Sequence, residues 1–315
     1  MHSKKISIVV PCYNESESIR EFYRVICAVI DNVYDYELIF VNDGSRDQTL
    51  PIIKELALLN PRVKYISFSR NFGHQNAVKA GMDHSTGDAV ISLDADLQHP
   101  PGIIPSLIEK WKEGYEVVYT IREEHESISW VKRLTSRMFY RISNSLSDTK
   151  VEPGAADFRL LDRKVVDSLK QMPENALFLR GLIAWVGFSQ FAINYKADER
   201  FAGQSKYTFG KMVKFATTGI TSFSVRPLRL SIYLGIFFAI LAFAFAIYAL
   251  FIYFFTNKAI QGWASVVIGL MFFNGLNLLM LGIIGEYLGK LFLENKRRPN
   301  YIIGETNISE EKINN

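Results

Sequence analysis

Four short polar segments carry side chains able to do chemistry. Asp94-Ala95-Asp96 sets two carboxylates two residues apart, directly after the apolar run 89–93. Carboxylates at that spacing on a strand end meet a hard divalent cation, directly or through water, and Mg2+ and Mn2+ favour carboxylate and phosphate oxygens. Gln98 adds an amide oxygen to the same turn. Asp43-Gly44-Ser45 follows the apolar run 38–41, where Asp43 is able to accept hydrogen bonds from a ribose or a base; an Asp–Gly turn leading into a helix is the plainer use. Pro11-Cys12-Tyr13-Asn14-Glu15 offers aromatic and acidic side chains that would flank a nucleobase, and Arg70-Asn71-Phe72-Gly73-His74 is the fourth segment. Neither G-x-G-x-x-G nor G-x-x-x-x-G-K-[ST] occurs, which argues against the dinucleotide fingerprint and the P-loop.

The elements between these segments alternate. Continuous apolar runs at 6–10, 38–41, 63–68, 89–93 and 117–120 read as strands, and 16–31, 49–59, 75–84 and 103–113 read as helices, the first with Ser16 or Ser18 as N-cap. Apolar strands alternating with helices predict an α/β fold: a Rossmann-like, mostly parallel sheet with helices on both faces. Ligands of such sheets bind outside the carboxyl ends of the strands. That rule places all four polar segments around one crevice.

The composition divides the chain again. It has 315 residues, a net charge of +4, 49% apolar and 22% charged side chains. Those averages exclude a disordered chain and a disulfide scaffold, and the charge is too mild to imply nucleic acid. Residues 230–255 and 263–285 contain no charged side chain. Each is long enough to cross a bilayer, which takes about 20 residues. Arg226 and Arg229 precede the first, Lys290, Lys296, Arg297 and Arg298 follow the second, and the turn between carries only Lys258. The positive-inside rule then puts both ends in the cytoplasm and the turn outside. Asn274 and Asn277 on the second span are expected to bond to the first span or to another subunit. The two cysteines, Cys12 and Cys27, show no metal spacing, which suits a reduced compartment.

Two basic amphipathic stretches complete the pattern. Trp130, Leu134, Met138, Ile142 and Leu146 recur every four residues among Lys132, Arg133, Ser136, Arg137 and Arg141. This helix suits either a membrane surface or the sheet with its basic face solvated. The stretch 207–223 has helical apolar spacing beside Lys206, Lys211 and Lys214, and leads straight into the first span as an interfacial helix. The tail after Gly304 is polar and reads as disordered; its Asn307-Ile308-Ser309 glycosylation match is expected to be fortuitous.

V-P-C-Y-N-E, V-N-D-G-S-x-D-x-T, S-R-N-F-G-H-x-x-A and S-L-D-A-D-L-Q-H-P-P, in this order, resemble family 2 glycosyltransferases of the GT-A fold. G-A-A-D-F-R-L-L-D, then E-R-F-A-G-x-S-K-Y, then two spans, resembles the polyprenyl-phosphate glycosyltransferases, closest to the bactoprenol glucosyltransferase type and related to dolichyl-phosphate mannose synthase. The resemblance covers roughly residues 5–300. It implies a nucleoside pocket at Pro11, Tyr13, Glu15 and Asp43, and a metal and diphosphate site at Asp94, Asp96 and Gln98 with Mg2+ or Mn2+. It implies a phosphate-binding Arg122, an acceptor-phosphate site at Lys132 and Ser136, with Arg133 and Arg137 fitting almost as well, and a loop of Arg200, Ser205 and Lys206 closing over the phosphates. Asp157 falls where such enzymes carry an acidic residue near the acceptor; the alternative is an ion pair with Arg159.

The implied reaction is inverting transfer of one hexose, glucose from UDP-glucose, to polyprenyl phosphate at the cytosolic face of the cell membrane, by a homo-oligomeric enzyme. A phosphate monoester is largely dianionic at neutral pH, so the acceptor needs no strong base. The expected organisation is a cytosolic catalytic domain over 1–205, an amphipathic helix over 206–229, spans over 230–255 and 263–288, an external turn over 256–262, and a basic cytosolic tail over 289–315. A processive polysaccharide synthase would need more spans and a Q-x-x-R-W motif, which the sequence lacks. A non-enzymatic membrane binding or transport accessory would have no use for the Asp94/Asp96 pair or for Ser205-Lys206.

Overall fold

A computed structural model describes residues 4–31, 33–122, 152, 154–172, 174, 177–195, 224–255 and 262–309. The sheet expected from the apolar runs is present. Its parallel centre is β1 (Lys5–Cys12), β2 (Asp35–Asn42), β3 (Val63–Phe68) and β4 (Ala89–Ser92). β5 (Val117–Arg122), β6 (Ala155–Asp162), β7 (Gln190–Tyr195) and β8 (Ile303–Thr306) extend it to eight strands in the order β7-β5-β6-β4-β1-β2-β3-β8. β6 and β8 run antiparallel to their neighbours; β5 and β7 pair in parallel.

The strands are apolar throughout because both faces are covered. On one face Ile6, Ile8 and Val10 of β1 join a core with Ile19, Phe22, Ile26 and Ile30 of α1 (Ile19–Ile30), Ile53 of α2 (Thr49–Leu59) and Trp111 of α4 (Ile104–Lys112). On the other, Val9, Ile39 and Val41 join Ala77 and Met82 of α3 (His74–Asp83), Val165 of α5 (Arg163–Lys170) and Leu182 of α6 (Leu179–Trp185). Gly81 lets α3 lie directly on β1, since a Cβ there would run into the Val9 side chain. That close approach lays α3 along the sheet, with His74 as its first residue.

Element boundaries move little from expectation, with one informative shift. α1 begins at Ile19, not at 16, because the Glu15 carbonyl accepts from the N–H groups of Ser18 and Ile19 and closes a turn over 16–18. Ser18 occupies the N-cap position, yet its hydroxyl bonds back to Glu15 rather than capping the helix.

α7 (Arg226–Phe255) and α8 (Trp263–Asn295) contain the two charge-free segments and are about 45 and 50 Å long at 1.5 Å per residue. Both are long and apolar enough to cross a membrane. They touch where Phe238 meets Phe272 and Phe273, at 5.8 and 5.6 Å between ring centres. Asn274 does not reach across to the first span; it donates to the Leu270 carbonyl of its own helix at 2.9 Å. At the sheet end of the hairpin the Tyr287 hydroxyl donates to the Ser224 carbonyl at 2.6 Å.

The tail differs from expectation. Instead of a disordered segment after Gly304, residues 303–306 form β8 on the open edge of β3. The polarity that suggested disorder is that of an edge strand. Glu305 pairs with Lys54 at 2.7 Å, and the Thr306 hydroxyl donates to the Tyr65 carbonyl at 2.6 Å. Asn307 sits in no glycosylation loop: its amide accepts from the Tyr65 N–H at 2.7 Å and donates to the Val63 carbonyl at 3.2 Å. Just upstream, Tyr301 stacks on Phe68 with ring centres 5.1 Å apart.

Candidate active site

The carboxyl ends of β1 to β4 surround a cavity of about 290 Å³. Pro11, Tyr13, Glu15, Asp43, Asp94 and Asp96, all singled out in the sequence, line it. The first two loops are tied together: the Asn14 N–H donates to the Ser45 hydroxyl at 3.0 Å, and the Arg46 N–H donates to the Asn14 amide oxygen at 2.9 Å. Asn14 takes φ +55°, a left-handed conformation that asparagine tolerates.

Asp43 has a different first duty from the one expected. It is buried, and its carboxylate accepts from the Phe72 N–H at 2.6 Å and from the Gly73 N–H at 3.0 Å. Burial pushes its carboxyl above the ordinary value, against the opposing pull of those two bonds. Asp43 therefore holds the Arg70–Gly73 loop in place while still bordering the cavity. Gly44 makes this packing feasible. At φ +64°, a Cβ here would lie 2.5 Å from the Arg70 carbonyl carbon.

At the end of β4 the backbone is strained. Leu97 takes φ +60°, a region that costs a residue other than glycine about 1–3 kcal/mol and clusters at functional sites. The turn is held by the Gln98 N–H, which donates to Asp96 Oδ1 at 3.1 Å. Gln98 acts here through its backbone, and its side chain is not among the described cavity lining.

Asp157 comes to the same place from β6. The antiparallel register pairs Ser92 with Arg159, so two residues further on Asp157 stands opposite Asp94. His74, at the start of α3, lies between them, its Nε2 at 3.6 Å from Asp94 Oδ1 and 3.7 Å from Asp157 Oδ2. Burial pulls the His74 pKa down, but the carboxylates of Asp94 and Asp157 outweigh it and push it up to about 9. Asp157 is gripped by Arg180 of α6, with Nε at 2.8 Å and Nη2 at 3.1 Å, and Arg159 stands 3.6 Å away. Burial would raise the Asp157 carboxyl; Arg180, His74 and Arg159 together hold it well below the usual carboxylate range. The pairing with Arg159 weighed from the sequence is thus the lesser of two.

His74, His99, Arg180 and Tyr195 are the site residues that sequence reasoning gave no role. His99 is buried under Phe158 and accepts the Asp94 N–H at its Nδ1, 3.3 Å away. Both histidines stood inside recognised motifs. Arg180 stood in none; its signal was a lone charge within the apolar run 177–183. Arg122 ends β5 on the same sheet edge, paired in register with Tyr195, whose hydroxyl burial pushes up to about 12. Lys132, Arg133, Ser136, Arg137, Arg200, Ser205 and Lys206 lie outside the described residues.

The sequence profile of Glycosyl transferase family 2 matches residues 7–170, which contain every loop of this cavity. The chain belongs to that family. An uncharacterized glycosyltransferase of Bacillus subtilis is 47% identical over 97% of this chain and 95% of its own length. A bactoprenol glucosyl transferase of Shigella phage SfX is 41% identical over 95% of this chain and 98% of its own. A prophage bactoprenol glucosyl transferase homolog of Escherichia coli matches to the same extent. The protein is a glycosyltransferase with the GT-A architecture, and the cavity at its sheet edge is the candidate place of transfer.

Proposed function

We propose that this glycosyltransferase moves one hexose, glucose from UDP-glucose, to polyprenyl phosphate at the cytosolic face of the cell membrane, with inversion at the anomeric carbon. The observation that carries the reading is near-full-length identity of 41% to bactoprenol glucosyl transferases, extending through both membrane-length helices. The cavity lined by Tyr13, Glu15 and Asp94 supports a nucleoside diphosphate as donor.

Asp94 and Asp96 fit a divalent cation of the kind that binds with its substrate. Among the described residues no group of three or more His, Cys, Asp or Glu side chains forms a metal cage. Mg2+ and Mn2+ need none here, because they keep waters and take phosphate oxygens as ligands. When bound, such an ion neutralises the charge that develops on the leaving diphosphate.

The chain's own groups do the positioning. Pro11, Tyr13 and Glu15 bound the nucleoside, and Asp43 fixes the loop facing it. Arg200, Ser205 and Lys206 close over the phosphates. Arg122, Lys132, Arg133, Ser136 and Arg137 gather the acceptor phosphate and screen the repulsion between two anions that must approach. The acceptor is dianionic at neutral pH and attacks without a strong base. Asp157, with a depressed pKa and three cationic neighbours, is a poor proton acceptor and instead orients His74 and Arg180 beside the sugar. Two spans hold the crevice at the height of the lipid phosphate, with both termini in the cytoplasm.

The test incubates membranes containing the protein with radiolabelled UDP-glucose and undecaprenyl phosphate. A labelled monoglucosyl lipid is expected. A labelled polymer, or no transfer from any UDP- or GDP-sugar, would overturn the reading.

A further inference from the structure

A second and larger cavity, about 550 Å³, lies where the end of α8 returns to the catalytic sheet. One wall is the Arg70–Gly73 loop with Asn76 of α3. The other is the last turns of α8 and the link to β8, bearing Lys290, Lys296 and Arg298. Four cationic side chains face one acidic lining residue, Glu294. Arg70 is held in place over the Phe72 ring at 4.1 Å.

A further observation points to an occupant. Lys290 stands five residues past the uncharged run that ends at Gly285, about 7.5 Å along the helix, which is headgroup depth if α8 spans the bilayer. The site thus gathers cations suited to a phosphate at the height where lipid phosphates lie.

We propose that this cavity binds the headgroup of an anionic glycerophospholipid of the surrounding bilayer, its phosphodiester among Lys290, Lys296, Arg298 and Arg70. Basic pockets at the cytosolic ends of spans are known to hold such headgroups. The site is distinct from the transfer cavity, although Asn71 and Gly73 line both. The proposal rests on the reading of α7 and α8 as a membrane hairpin.

The test uses the full chain in phosphatidylcholine nanodiscs doped with labelled phosphatidylglycerol, with retention read by native mass spectrometry. The wild type is expected to enrich phosphatidylglycerol over phosphatidylcholine by about tenfold or more. The double variant Lys296→Gln/Arg298→Gln, altered only at exposed positions outside the transfer cavity, is expected to bring the two lipids near parity while UDP binding is unchanged. No preference in the wild type, or an unchanged preference in the variant, would sink the proposal. So would displacement of phosphatidylglycerol by inorganic phosphate or by polyprenyl phosphate at lower concentration, which would mark a free-anion site or an acceptor site. Sugar transfer is assayed on the same discs; its absence beside an intact lipid preference would strike the proposed reaction and leave this site standing.

Discussion

Arg180 holds Asp157 by a fork, Nε to Oδ1 at 2.8 Å and Nη2 to Oδ2 at 3.1 Å. The pair joins α6 to β6 and sets the carboxylate that faces His74 and, beyond it, Asp94. Removing one partner of a largely buried ion pair destabilises by about 3 kcal/mol. Arg180→Met is expected to lower the melting temperature and to reduce kcat at least tenfold. Arg180→Lys restores charge without the fork and should fall between. Wild-type kcat in Arg180→Met, with only the melting temperature lowered, would make the pair a scaffold contact alone.

Glu37 supplies a pH signature remote from the cavity. It is buried, which pushes its carboxyl up. The Ser7 hydroxyl at 2.6 Å, the Thr86 N–H at 2.7 Å and the Lys5 ammonium at 3.0 Å more than offset this and leave its pKa below the ordinary value. A carboxyl depressed in the folded state contributes stability above its unfolded pKa and loses it as pH falls through the folded value. Urea unfolding between pH ~5 and ~3 should show wild-type stability declining more steeply than that of Glu37→Gln. Parallel slopes would remove Glu37 from the acid response.

Gly44 is expected to tolerate nothing larger. Alanine there meets the Arg70 carbonyl carbon and the Asn71 nitrogen at a positive φ. Gly44→Ala should cost about 2 kcal/mol or more and displace the Arg70–Gly73 loop from Asp43. Calorimetric titration with UDP should then show weakened binding. Gly304→Ala, where a Cβ makes only ordinary contacts at 3.4 Å, is the tolerated comparison.

Removal of divalent ions by EDTA should abolish sugar transfer, and added Mn2+ or Mg2+ should restore it. Asp96→Asn is expected to raise the half-saturating metal concentration by more than about tenfold, since a carboxylate is exchanged for a neutral amide of the same shape. Full transfer in excess chelator would dispose of the metal assignment.

The parallel half of the fold was legible because each strand is buried on both faces and so reads as an unbroken apolar run. The cavity was legible because the ends of four such strands must share one edge. What escaped has physical causes. Arg180 reaches the site only through tertiary packing, and its one local mark, a lone charge in an apolar run, does not say what it will meet. β6 follows a long basic amphipathic segment, so its antiparallel insertion between β4 and β5 has no periodic signal. β8 carries the composition of a loose tail because half of an edge strand faces water. Asp43 was expected beside the cavity and lines it, but that its oxygens hold a neighbouring backbone depends on how closely Gly44 lets that backbone approach.

Among the described elements β8 is made last, after both membrane-length helices, yet it closes the edge of β3, one of the first strands made. During synthesis Val63–Phe68 therefore waits with one row of backbone groups open, a template for pairing with another chain. The sheet is completed only once both long apolar helices have been produced and the chain beyond α8 has returned to β3. Completion of the sheet therefore waits on both long apolar helices, and a polypeptide ending before α7 would carry an exposed strand edge at β3.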